Sequence, residues 1–485
     1  MTQSPDRSPT TLETPRRPAS PPAEWPIFHL AHPGPGLAGP ADPNCAVWWK
    51  GRYHLHYIYD RGAEDGVDMF ARFQAGEGDF AFAHVSSADL VHWTWHPTTL
   101  APARTGHGMF SGTAFLTKDG RPAIIYHGYG TDANHVAIAE DDDLERWSDP
   151  LRALVHVRPD QDGSRILHFD PDAWLEGDTY YAIFGGGLTE GTAATYFRST
   201  DLENWDYLGV FLDPDLADAA EDLDVACPNF FPIGGKHMLL CISHHKGCRY
   251  YIGEWKNERF TPDVHGRMNW HAQDFFAPES LLTPDGRRVM WAWIAGKAPQ
   301  TGIQSLPREL DLPDDGILRI RPLRELETLR ANERREEGVV VDSGSHLIEG
   351  IAGDALELAA TIRPSTARRF GIRVHGDSRG AGGVDITVDL DANTLSIGEV
   401  TAPFEVTGDE VRLRVFVDKF LIEAFVDDRQ AVMLHHYADP AGDRVGVFAA
   451  GGAIDVDVAG WRMRSIYSSA EDPTLTRTRT DESVG

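Results

Sequence analysis

Apolar and polar positions follow one pattern five times between Asp42 and Trp293. Each time a polar or acidic residue precedes an apolar run, a Gly-containing turn and a second apolar run. The five units begin at Asp42, Ser111, Asp170, Cys227 and Glu279. Their turn glycines are Gly51, Gly120, Gly177, Gly234 and Gly286, at steps of 69, 57, 57 and 52 residues. Two short apolar runs around a tight turn make a β-hairpin, and repetition at this period predicts a β-propeller with one four-stranded sheet per blade. A second signal runs in phase with the first. Asp-Leu-x-x-Trp recurs with its aspartates at Asp89, Asp143 and Asp201. It predicts a turn capped by Asp, with Leu and Trp packed between strands. These aspartates are therefore structural, not chemical.

Strand signals dominate from about Trp25 to Leu318. A charged stretch follows, in which Leu323, Leu326 and Leu329 recur at three-residue spacing, predicting a short helical connector. From about Gly338 the alternation of half-buried strands returns, as in V-R-L-R-V-F-V-D-K-F-L-I-E-A-F-V, and predicts a β-sandwich. The expected domains are a disordered tail over 1–24, a five-bladed propeller over 25–320 and a connector over 321–337. A sandwich over 338–469 and a second disordered tail over 470–485 complete the chain.

The 485 residues carry 45 basic and 74 acidic side chains, a formal charge of −29. Phosphates would be repelled, so nucleic acid and anionic membrane are excluded as partners and a neutral ligand is favoured. No apolar run reaches the length of a spanning helix, and the stretch from Met1 to Pro22 lacks the apolar core of a signal peptide, so a cytoplasmic protein is expected. The four cysteines are too few and too irregular for a disulfide framework. Cys241 and Cys248 flank S-H-H-K-G, and His54, His56 and His84 lie in or near inner strands; both groups read as structural before they read as metal ligands. The oligomeric state is not fixed, and a homo-oligomer stays open.

Inner strands of a propeller converge on one axis, so residues at their starts share a cavity. Asp42, Asp170 and the cluster Glu221, Asp222 and Asp224 occupy such starts. Paired carboxyl groups flanking one bond are what glycoside cleavage requires: one attacks the sugar carbon and the other protonates the leaving oxygen.

These stretches resemble glycoside hydrolase family 32, the invertase, inulinase and levanase family. The likeness runs from about Phe28 to Tyr467. A-D-P-N-C echoes the family's N-D-P-N-G and implies Asp42 as nucleophile, with Asn44 in the same motif. F-S-G-T-A implies Phe110 and Ser111 as sugar contacts. F-D-P echoes R-D-P and implies Asp170 as transition-state stabiliser, with Phe169 in place of arginine. A-C-P-N echoes E-C-P-D, so the acid/base glutamate is Ala226. F-F-A-P-E-S-L-L, R-R-V-M-W-A-W-I, L-P-R-E-L and the second-domain motif extend the match. The resemblance implies covalent, retaining chemistry on β-fructosides in fructans, fructo-oligosaccharides or sucrose, with no cofactor.

The departures imply an altered pocket: Ala41 and Ile58 also replace polar family residues. Strand alternation puts Asp224 and Asp222 on the face of Ala226, so Asp224 is the first replacement acid and Glu221 the second. Glu279 opens the fifth blade and is expected to bind substrate. Trp291 and Trp293 share a face, and Trp293 is the candidate for stacking on sugar. Arg249, in an expected exposed turn, is a substitute for the lost arginine. Transfer or cyclisation of fructosyl units, a non-catalytic carbohydrate-binding protein, and action on another furanoside remain alternatives.

Overall fold

The structure is a computed structural model that describes residues 11–13, 23–31, 41–61, 72, 75–186, 193–212, 224–270, 274–295, 302–437 and 442–467. Glu221, Asp222 and the C-terminal stretch 470–485 lie outside the described residues.

Five antiparallel sheets form the blades. Their innermost strands are Pro43–Trp49, Gly108–Leu116, Pro171–Glu176, Ala226–Ile233 and Phe276–Leu282. Each pairs with the next strand through the predicted glycine turn, and the five turn glycines all take positive φ, a conformation that side chains with a Cβ resist. The third blade gains an extra edge: Leu154–His156 pairs in parallel with Asn204–Val210 as the chain crosses from the second blade.

Polar side chains of the inner strands tie each blade to the next around the axis. Asn44 Oδ1 accepts the Gly112 amide (2.9 Å), joining blades one and two. Asp172 accepts the Thr113 hydroxyl and the Phe230 amide, both at 2.7 Å, joining blade three to blades two and four. Ser280 Oγ donates to Asn229, joining four and five. Glu279 Oε1 accepts the Ala46 amide (2.8 Å) and closes the ring. Between blades the packing is aromatic. Trp147 sits with Phe80, Phe110 and Tyr126, and Trp205 with Phe115, Tyr180 and Phe197. Truncating either tryptophan to Ala would cost about 3–5 kcal/mol.

The Asp-Leu-x-x-Trp turns form as expected in two blades. Asp89 accepts the Val91 and His92 amides, and Asp201 accepts those of Glu203 and Asn204. In the second blade the cap is Asp141 and not Asp143: Asp141 Oδ1 accepts the Glu145 amide (2.9 Å). Three consecutive aspartates precede Leu144, and the earliest has the reach.

The second domain is one ten-stranded sheet folded on itself into a nearly closed sandwich. Two long strands, Arg330–Ala352 and Arg444–Met463, run through it and bend at bulges. Its core is aliphatic, with Leu358, Ile372, Val388, Leu413 and Val456 all buried. The stretch 321–337 is only in part a connector. Arg324–Leu329 is a 3₁₀ turn that buries Leu326 and Leu329, and the first long strand already starts at Arg330. Within the N-terminal 24 residues, Leu12–Glu13 pairs with Pro97 and Thr98 as an edge strand of the first blade.

A buried ionic network joins the two domains. The second-domain motif contributes Asp418, which accepts the amides of Ile27, Phe28 and His29, and Glu423, whose Oε2 accepts from Arg308 (2.8 Å). His29 lies between them, Nδ1 at 2.8 Å from Asp418 and Nε2 at 3.3 Å from Glu423. Burial opposes its charge, but the two carboxylates prevail and raise its pKa to about 9. No helix among the described residues is long and apolar enough to cross a membrane.

Candidate active site

Asp42 and Asp170 meet at the axis. They are 7% and 3% exposed, and the thiol of Cys227 lies between them, with Sγ 3.9 Å from Asp42 Oδ2 and 3.4 Å from Asp170 Oδ2. Ser111 Oγ donates to Asp42 Oδ2 (2.7 Å), and the Cys227 amide donates to Asp170 Oδ2 (3.2 Å). Four residues from four different blades thus converge on one spot. Backbone contacts fix the chain beneath Asp42. Its carbonyl accepts from Asn44 Nδ2 (2.6 Å) and the Ile58 amide (3.2 Å), and the Ala41 carbonyl accepts from Gln304 Nε2 (2.7 Å).

The inner strands do not start regularly. Pairing slips between Asn44 and Val47, between Met109 and Gly112, between Ala226 and Asn229, and between Phe276 and Pro278. Cys45, Cys227, Ala277 and Asp170 take positive φ of 50°, 45°, 43° and 36° there. Non-glycine residues adopt such angles only when the surroundings impose them, and bulges of this kind re-aim side chains. Here the bulge turns Cys227 toward the acids while Ala226 packs into the core beside Phe231 and Ile242.

The buried acids are hard to ionise. Burial, reinforced by the charge of Asp170 and offset in part by the Ser111 hydrogen bond, raises Asp42 to about 7. Burial raises Asp170 to about 6 against the pull of His244 and the Cys227 amide. Burial also pushes the Cys227 thiol up, so it stays protonated as a donor.

Asp224 is 2% exposed and its carboxylate is turned to His244. Oδ2 accepts the His244 amide (2.6 Å), and ring Nδ1 lies 2.9 Å from Oδ2 and 3.1 Å from Oδ1. The alternation argument made Asp224 the first replacement acid; in the structure its carboxylate is the anchor of a histidine. The His244 ring is 31% exposed and touches Phe276 edge-on at 5.8 Å between centroids.

Other sequence expectations shift too. Glu279 and Asn44 are buried and hold blades together, so their polar atoms serve the ring described above. Phe110 packs between Phe80 and Tyr129, at 5.0 and 5.2 Å. Phe169 is half-buried against His127 at 5.3 Å. Trp291 and Trp293 are both core, Trp291 edge-on to Trp93 and Trp293 edge-on to Phe276 at 6.4 Å, so the expected sugar-stacking face of Trp293 is buried. Arg249 is buried in a strand with its guanidinium over Tyr251 (5.1 Å), not in an exposed turn. His54, His56 and His84 stack with His96 inside the first blade, where burial lowers His54 to about 3 and His56 to about 4. No cluster among the described residues is arranged to hold a metal ion. Gln304, Cys227 and His244 were not singled out by sequence reasoning; only Cys227 and His244 carried a signal, inside A-C-P-N and S-H-H-K-G.

Comparison with known proteins agrees with this geometry. Residues 38–322 match the model "Glycosyl hydrolases family 32 N-terminal domain" and residues 325–462 match "Glycosyl hydrolases family 32 C terminal". A sucrose-6-phosphate hydrolase of Escherichia coli is 26% identical over 470 residues, covering 88% of this chain and 92% of the relative. A levanase of Bacillus subtilis (strain 168) is 25% identical over 479 residues, covering 86% and 67%. Fructan 1-exohydrolase IIa from Cichorium intybus shares the fold, with a TM-score of 0.74 at 19% identity over 91% of this chain and 98% of that one. The two domain models together span most of the chain, and with acids from separate blades meeting at the propeller axis, the protein belongs to glycoside hydrolase family 32.

Proposed function

We propose that the protein hydrolyses β-fructofuranosidic bonds with retention of configuration. The observation that carries this reading is the meeting of Asp42 and Asp170 around Cys227, with Ser111 holding Asp42, in a family 32 chain. Ionised Asp42 attacks the anomeric carbon of the fructosyl unit. The Ser111 hydroxyl stabilises the anionic form it needs. Asp170 accepts fructose hydroxyls and favours the oxocarbenium-like state, while a proton reaches the leaving oxygen from the mouth of the fourth blade. Water then hydrolyses the fructosyl ester.

The relatives named for sucrose-6-phosphate and levan support fructosides as the substrate class. A formal charge of −29 disfavours a phosphorylated sugar and favours neutral sucrose, fructo-oligosaccharides or fructans. A screen of sucrose, sucrose-6-phosphate, inulin, levan and short fructo-oligosaccharides with product identification tests this. Free fructose from a neutral substrate supports the reading, and lengthened or cyclic products redirect it to transfer. The non-catalytic alternative rests on Ala226 alone. Calorimetric binding of a fructoside without turnover would establish it.

A further inference from the structure

We propose that His244, oriented by Asp224, is the general acid and base of this enzyme, in the role that the family resemblance assigns to the position of Ala226. This inference rests on the fructosidase reading above and names its proton donor. Ala226 pairs with Ile242 across the first hairpin of the fourth blade. That pairing ends there, and Asp224, two residues before Ala226, reaches His244, two residues beyond Ile242, through its side chain, about 7 Å along the strand from the Ala226 pair. Ala226 itself is buried in the core and carries no proton. The neighbouring pair supplies what is missing. The Asp224 carboxylate grips both the backbone amide and ring Nδ1 of His244, which fixes the ring and turns Nε2, the proton-transferring atom, away from Asp224.

The ring is exposed enough to meet a ligand, while its carboxylate is not. Three carboxylates act on it: Asp224 directly, and Asp170 and Asp42 through space. Against the cost of burial they raise its pKa above the usual histidine value, which favours the imidazolium that an acid role needs. In return, its charge eases ionisation of Asp42 and Asp170. Phe276 meets the ring edge-on at 5.8 Å between centroids.

The proton count closes. The Nε2 proton passes to the glycosidic oxygen as the carbon–oxygen bond breaks, the alcohol leaves, and Asp42 bonds to the anomeric carbon. Neutral His244 then takes a proton from water as the water oxygen displaces Asp42, which restores both the imidazolium and the carboxylate.

The test compares His244→Asn and Asp224→Asn on two substrates: sucrose, and an aryl β-fructofuranoside whose phenolate leaves without a proton. His244→Asn should lose about 10²–10⁴-fold in kcat/KM on sucrose and far less on the aryl substrate. Its pH profile should lose the alkaline limb. Asp224→Asn should move that limb to lower pH. Sucrose turnover within threefold of wild type in His244→Asn, with the alkaline limb intact, overturns the inference while leaving the fructosidase reading in place. Equal loss on both substrates assigns the ring a binding or folding role and also overturns it. Wild-type enzyme that cleaves neither substrate overturns the fructosidase reading, and this inference with it.

Discussion

Replacing Asp42 by Asn should abolish turnover and make the protein more stable, and both effects come from one cause. The wild-type carboxylate is raised from 3.8 to about 7, chiefly by burial, with Asp170 adding repulsion. A folded-state pKa above the unfolded value means that the native protein holds the proton more tightly. Stability from this group is therefore complete below about pH 4 and is lost as pH rises to about 7. Roughly three units at 1.36 kcal/mol each set a ceiling of about 4 kcal/mol. Water in the cleft lowers this, so a gain of about 1–3 kcal/mol for Asp42→Asn at pH 8 is the working figure. Asparagine keeps the shape, and its Oδ1 can still accept from Ser111. Parallel denaturation of both proteins between pH 5 and 8, with sucrose assays on the same samples, reads both effects. Activity should fall by more than about 10³-fold, and the stability difference should widen with pH. A variant that is destabilised by the same amount at every pH, or that cleaves sucrose as wild type does, refutes the reasoning.

Further outcomes follow from other contacts. Ser111→Ala removes the hydrogen bond that lowers the Asp42 pKa, so the acid limb of kcat/KM should move to higher pH, read from pH–rate profiles. Glu279→Gln keeps an acceptor for the Ala46 amide and should match or exceed wild-type stability, whereas Glu279→Ala should cost about 1–3 kcal/mol by leaving that amide unpaired, as measured by urea denaturation. His29, raised from 6.5 to about 9 between Asp418 and Glu423, contributes stability that is whole below pH 6.5 and lost as pH climbs through 9. Thermal unfolding of wild type should thus fall across that window more steeply than that of His29→Asn.

Much of the fold was legible because the propeller signal is local. Each blade needs a glycine turn and alternating apolar strands, and Gly51, Gly120, Gly177, Gly234 and Gly286 mark all five. The acids at Asp42 and Asp170 were legible for the same reason, since a strand start in register is a place in space. The proton donor was not. Strand alternation carried the search back from Ala226 to Asp224, but the Asp224 carboxylate is turned to His244. Nor does alternation within one strand reveal its partner. His244 becomes visible only when the hairpin brings it within reach of Asp224. Glu279 misled for a related reason: a carboxylate at an inner-strand start can face substrate or lock a neighbouring blade, and the residue type is the same in both. The early start of the strand at Arg330 was hidden by its charge, because Glu333, Arg334, Arg335 and Glu336 lie on a strand with mostly exposed faces.

The claim at the centre of this account is that Asp42 carries the fructosyl unit as a covalent ester. Running the reaction on the best substrate with methanol present tests it directly, because a methyl fructoside keeps its anomeric configuration after release. NMR of the product should show the methyl β-fructofuranoside from wild type and none from Asp42→Asn. The α-anomer from wild type, or the β-anomer at an undiminished rate from Asp42→Asn, would contradict it.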